Sequence, residues 1–121
     1  ASIASFFPGP NMAVYYATKA YVLSLTEALA FEHRDDPIKI TALCPGPTRT
    51  GFSKEADADS NNIFAKPDHL PGPLEVAEYG MESLAAGKQV AIHGLGNKLN
   101  VFGARLLPRR MLAAIIYRVQ G

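Results

Sequence analysis

Residues 12–50 read MAVYYATKAYVLSLTEALAFEHRDDPIKITALCPGPTRT, and this stretch decides the fold. From Met12 to about His33 alanine is frequent, glycine and proline are absent, and apolar residues recur at helical spacing, which predicts a long helix. The rows Val14, Tyr21, Leu25 and Val22, Leu25, Leu29 overlap, so its apolar surface is broad and calls for packing on more than one side. Asp35, Asp36 and Pro37 stop it. Ile38 to Leu43 is a short β-rich run that predicts a strand, ended by Pro45-Gly46-Pro47.

Upstream, residues 1–11 read as the end of a strand followed by a turn-rich loop, with Asn11 as the helix N-cap. Downstream, residues 51–73 are polar, with Asp, Ser, Asn and three prolines. A connection of that length is expected to be a lid or substrate loop. Leu74 to Ala86 predicts a second helix with Gly87 as its C′ residue, and Gln89 to His93 a second short strand. Residues 95–121 predict two helical pieces broken at Pro108. Strand, helix, strand, loop, helix, strand implies parallel pairing with crossover helices. Three strands alone leave an open edge. The expected fold is therefore α/β, a partial Rossmann-like, doubly wound parallel sheet, with residues 1–121 as one C-terminal portion of the domain.

Composition narrows the class. The chain has 121 residues, 48% hydrophobic and 19% charged, which is a globular composition rather than a disordered one. Cys44 is the one cysteine, so no internal disulfide forms, and its place in an apolar run predicts buried packing. A reducing, cytoplasmic setting is the expectation. His33, His69 and His93 are scattered and Asp57, Asp59 and Asp68 read as solvated loop carboxylates, so no metal site is expected. Residues 1–82 hold six Lys/Arg and all eleven Asp/Glu, whereas residues 83–121 hold six Lys/Arg and no acid. The basic residues are not interleaved with aromatics in a nucleic-acid module, so no nucleic-acid partner is expected.

The chemistry lies in Tyr15-Tyr16-Ala17-Thr18-Lys19. Tyr15 and Lys19 are four residues apart and share a helix face. A phenol titrates near ~10, and an ammonium close by favours its ionised form. So paired, a tyrosine can trade a proton with a substrate oxygen as hydride moves to or from the adjacent carbon. Ser2, thirteen residues before Tyr15, can hold the same oxygen by a hydrogen bond. Tyr16 has Ala20 one turn on and reads as packing; Ser5 reads as a loop stabiliser.

Ser2, Tyr15 and Lys19 resemble, in type and spacing, the Ser…Tyr-x-x-x-Lys pattern of the short-chain dehydrogenase/reductase family. Pro45-Gly46-Pro47-Thr48-Arg49-Thr50 is similar to that family's Pro-Gly turn at the nicotinamide end of its cofactor. The resemblance implies an NAD(P)-dependent oxidoreductase acting on a small carbonyl/alcohol substrate. Tyr15 would be the general acid/base. Lys19 would favour its ionised form and bond the nicotinamide ribose. Ser2 would orient the substrate oxygen. Pro45 and Gly46 would shape the turn, and Thr48 and Thr50 would bond the carboxamide and phosphates. The cofactor is NAD or NADP, with NADP slightly preferred. The resemblance also implies a homo-oligomer formed through helix 12–33.

Departures from the pattern set a limit. The family's Thr-Gly-x-x-x-Gly-x-Gly turn, its Asn-Asn-Ala-Gly phrase and the upstream Asn of its catalytic tetrad do not occur in these 121 residues. Gly94-Leu95-Gly96 lacks a third glycine at the needed spacing. Without a glycine turn nothing here holds a pyrophosphate, so the chain reads as a fragment expected to be inactive alone. A rival reading is a non-enzymatic dimerising module. Another concerns the tail, where apolar residues alternate with Arg105, Arg109, Arg110 and Arg118. Residues 98–121 could lie on a membrane surface, close the substrate pocket, or dock on another part of the domain or another subunit.

Overall fold

A computed structural model describes residues 1–49 and 70–120. A 3-10 turn at Ile3–Phe6 leads into helix α1 (Ala13–Glu32), strand β1 (Ala42–Cys44), helix α2 (Pro73–Ala85), strand β2 (Val90–Ile92), helix α3 (Leu95–Leu106) and helix α4 (Arg109–Gln120). The two strands pair in parallel, with Ala42 opposite Val90, Leu43 opposite Ala91 and Cys44 opposite Ile92. This is the expected crossover, with α2 in the connection between the strands.

The first residues depart from expectation. Instead of ending a strand, Ser2 is a single extended residue (φ −162°, ψ 161°) that caps the 3-10 turn. What ties it to the sheet is one bond: the Ile3 N–H donates to the Pro45 carbonyl at 3.1 Å. Asn11 is also not the cap of α1. It sits at φ 67°, a left-handed conformation that asparagine tolerates, and Met12 takes the cap position without a side-chain bond. The helix itself falls within a residue of its predicted ends. It closes where the His33 N–H reaches the Leu29 carbonyl, and a turn follows in which the His33 ring meets the Asp36 carboxylate at 2.6 Å.

Both strands are shorter than predicted. Ile38–Thr41 has β-forming residues, but β2 offers only three partners, and a strand exists only where something pairs with it. The segment is fastened by side chains instead: Lys39 Nζ donates to the Ala85 carbonyl at 2.7 Å and the Thr41 hydroxyl to the Lys88 carbonyl at 2.6 Å. Pro73 opens α2 one residue earlier than expected, at a position where its missing N–H costs nothing. Gly87 is the predicted C′ residue, at φ 75°. Its N–H bonds to the Leu84 carbonyl, and that of Lys88 to the Ser83 carbonyl, which is a Schellman ending.

The core is small and central. Leu23 of α1 packs on Ala42 and Cys44, with Ala1, Phe6, Val90 and Ile92 around them. Cys44 is fully buried, as its apolar context predicted. A second buried set, Val101, Leu112 and Ile116, lies on α3 and α4, which break at Leu107–Pro108 as read from sequence. The Gln120 side-chain amide closes α4 back onto α1 by donating to the Tyr16 hydroxyl at 2.6 Å. The opposite face of α1 is uncovered among the described residues, exposing Val14, Tyr21, Val22 and Leu25. No described helix is long and apolar enough to cross a membrane.

Three outcomes follow for stability. Gly87→Ala forces a β-carbon into the left-handed region and should cost about 1 kcal/mol in urea unfolding. For the clasp, a double-mutant cycle of Tyr16→Phe and Gln120→Ala should give a coupling of about 1 kcal/mol. Burial pushes the Tyr16 phenol above its ordinary 10.0, with the neighbouring Tyr15 adding to the rise and the Gln120 bond opposing it. Above that pH the unfolded chain therefore ionises first, and stability falls as pH rises. Tyr16→Phe should lose this alkaline component, measured as a flatter dependence of Tm on pH above 10.0.

Candidate active site

The turn at the carboxyl end of β1 opens onto a cavity of about 590 Å³. In parallel α/β sheets this is the end at which ligands bind. Three pieces of chain meet there. The 3-10 turn brings Ser2, Ile3 and Ala4; the turn after β1 brings Gly46, Pro47 and Thr48; and α1 brings Tyr15 and Tyr16. The far wall is apolar and comes from α3 and α4, chiefly Leu99, Leu112, Ile115, Ile116 and Val119.

Every predicted site residue except Thr50 lies within the described residues. The Ser2 oxygen accepts the Ala4 N–H at 3.1 Å, which holds the side chain at the mouth of the turn. That bond uses a lone pair and leaves the hydroxyl hydrogen available as a donor. Ser5 is spent on structure, as expected: its hydroxyl donates to the Lys19 carbonyl at 2.8 Å and so pins the turn to α1. Tyr15 lines the cavity and is 43% exposed. The Lys19 ammonium lies 5.4 Å from the centroid of the Tyr15 ring, within cation–π range, but Lys19 does not line the cavity wall.

In the turn after β1, the Pro45 carbonyl is engaged by Ile3, and the Thr48 hydroxyl donates to the Gly46 carbonyl at 3.0 Å. Gly46 is required by packing: a β-carbon there would collide with the side chain of Asn97. Asn97 is itself fixed by donating to the His93 carbonyl at 2.8 Å, so the first turn of α3 seats directly on the turn after β1. Thr50 and residues 51–69 of the predicted loop at 51–73 lie outside the described residues.

Two contributors were not foreseen. Tyr16 lines the same cavity as Tyr15, with the two rings edge to face at 5.8 Å and 74°. Its i+4 neighbour, Ala20, gave no hint of a polar role. Its partner Gln120 is 104 residues away and carries no local signal. The tail's apolar seam turns inward, where Leu112, Ile116 and Val119 wall the cavity, which matches the pocket-closing reading among those open for residues 98–121.

Comparison with known proteins agrees in kind. The family model for short chain dehydrogenases matches residues 1–61. Oxidoreductase UcpA of Escherichia coli (strain K12) is 36% identical over 117 residues, covering 88% of this chain and 43% of that protein. Dehydrogenase/reductase SDR family member 4 of Homo sapiens is 39% identical over 86 residues, 71% of this chain and 30% of that protein. The 3beta-hydroxysteroid dehydrogenase 1 of Eggerthella lenta is 40% identical over 58 residues, 48% of this chain and 22% of that protein. The chain thus spans less than half the length of these relatives. No solved structure matches it. With the family model covering half of the chain and the Ser, Tyr and Lys at the family's spacing, the chain belongs to the short chain dehydrogenase family.

Proposed function

We propose that this chain carries the proton-transfer part of an NAD(P)-dependent oxidoreductase site acting on a carbonyl/alcohol pair. The observation that supports it most is that the Tyr15 phenol, the Ser2 hydroxyl and the Gly46–Thr48 turn share one cavity, with the Lys19 ammonium beside the Tyr15 ring. The family's known members, UcpA and family member 4, bear oxidoreductase and dehydrogenase/reductase names, which supports the same class.

The residues present fit the nicotinamide end of such a cofactor. The turn after β1 borders the cavity beside Tyr15, at the strand ends where dinucleotides lie in doubly wound sheets. Gly46 and Thr48 would hold that end, with Lys19 beside the Tyr15 ring. No glycine-rich turn for the pyrophosphate occurs in the 121 residues, which fits a reading of them as the C-terminal portion of the domain, with little turnover on their own. The bound nicotinamide supplies hydride to the carbonyl carbon or accepts it from the alcohol.

The chain's own groups do the rest. Ser2 donates its hydroxyl hydrogen to the substrate oxygen and fixes the carbonyl in place. As negative charge develops on that oxygen during reduction, the Tyr15 O–H passes it a proton; in oxidation the same phenol oxygen takes the proton back. Lys19 offers a positive charge to the ring as it becomes anionic. The α3–α4 wall sets apolar side chains across the cavity from these groups. The exposed face of α1, with Val14, Tyr21, Val22 and Leu25, favours a second copy of the chain as its cover.

Tyr15→Phe tests the chemical role. In the full chain it should lower kcat by about 10²- to 10⁴-fold while NAD(P)H affinity, followed by nicotinamide fluorescence, changes little. Normal turnover in that variant would remove Tyr15 from the mechanism. For the assembly, Leu25→Lys should shift sedimentation toward the monomer, and an unchanged oligomer would place the interface elsewhere.

A further inference from the structure

The cavity wall is uniform in one respect: no charged side chain among the described residues lines it. The arginines of the tail are all on the outside, with Arg105, Arg109, Arg110 and Arg118 exposed while Leu112 and Ile116 of the same region are buried. The polar side chains of the wall are Ser2, Tyr15, Tyr16 and Thr48, and Asn100 is the one that α3 adds. Such a chamber gives one oxygen a set of hydroxyls and gives the rest of a ligand hydrocarbon. A carboxylate or phosphate carried into it would lose its water with no cation in the described wall to replace it.

One residue sets the room available. Gly103 lies in the interior of α3 and lines the cavity. A glycine there is unfavourable relative to alanine for the helix itself. It is not explained by packing either, because a β-carbon at Gly103 would have nothing within 4 Å among the described residues. Gly103 is one of the residues that border the cavity, so bulk added there is added at its edge. The cavity volume of about 590 Å³ is shared between this ligand and the nicotinamide end proposed to border the turn after β1.

We infer that the site takes a neutral, largely hydrocarbon ketone or secondary alcohol, its oxygen at the Ser2–Tyr15 end and its apolar body against α3 and α4, with Gly103 setting the bulk admitted. This rests on the reading of Tyr15 as the proton-transfer group, since that reading decides which end receives the oxygen.

Two probes of matched length test the charge rule: decan-2-one, and 9-oxodecanoate, which carries the same methyl ketone and an anionic tail. Binding to the full chain is measured by calorimetry without turnover. Decan-2-one should bind at least ~10-fold more tightly than the anion. Gly103→Leu should weaken decan-2-one by roughly 10-fold while Tm holds or rises. Equal affinity for the two probes, a preference for the anion, or unchanged affinity in Gly103→Leu would overturn the proposal. The probe comparison uses the unaltered chain, so it decides the matter even if the variant proves unstable. Loss of turnover in Tyr15→Phe alongside equal probe binding would sink the substrate class and leave the mechanism standing. The reverse pattern would sink the mechanism alone.

Discussion

The contact of Leu23 with Ala42 and Cys44 holds the arrangement together. Two small residues on β1 let α1 lie close to the strand, and that closeness sets where the face bearing Tyr15 emerges. Larger side chains at either strand position would lift the helix and carry its phenol away from the turn after β1. The sheet contributes little area itself, with three pairs in register. Its role is to fix direction, since parallel pairing brings both strand ends, and the chain segments leaving them, to one side.

From that side the site is built by short-range contacts, each of which joins two pieces of chain. Ile3 bonds Pro45 and Ser5 bonds the carbonyl of Lys19, while the Asn97 side chain, bonded to the His93 carbonyl, packs against Gly46. None of these three side chains or backbone groups needs to touch a substrate. They hold Ser2, Tyr15 and the turn in mutual reach, so that the groups proposed to handle the oxygen do not have to be ordered at the moment of binding. Tyr16 and Gln120 extend the same logic to the far wall, fastening the last helix to the residue next to the proposed acid/base.

Much of this was legible in the residues, and the failures have physical reasons. The long helix was readable because propensity, periodicity and its stop signals agree over twenty residues. The break at Pro108 and the Schellman ending at Gly87 were readable because each depends on the backbone limits of one residue type. The strand at Ile38–Leu43 was read too early because β-forming residues do not reveal how much partner strand exists. Asn11 was misassigned because the same side chain suits an N-cap and a left-handed turn. For the site, spacing along the chain singles out Ser2, Tyr15 and Lys19, and the structure brings Ser2 and Tyr15 to one cavity with Lys19 beside the Tyr15 ring. The Tyr16–Gln120 clasp was not readable, since nothing local couples positions on the first and last helices.

The sealed position of Cys44 makes that residue a built-in clock. It is the single thiol in the sequence and has no exposed surface, and burial pushes its ionisation upward. A thiol-directed reagent can therefore reach it only when its cover, Leu23 of α1 together with Ala1 and Phe6, opens. The rate of its labelling reports how often the packing of α1 and the first residues on the strand parts, without an engineered cysteine and without denaturing the remainder.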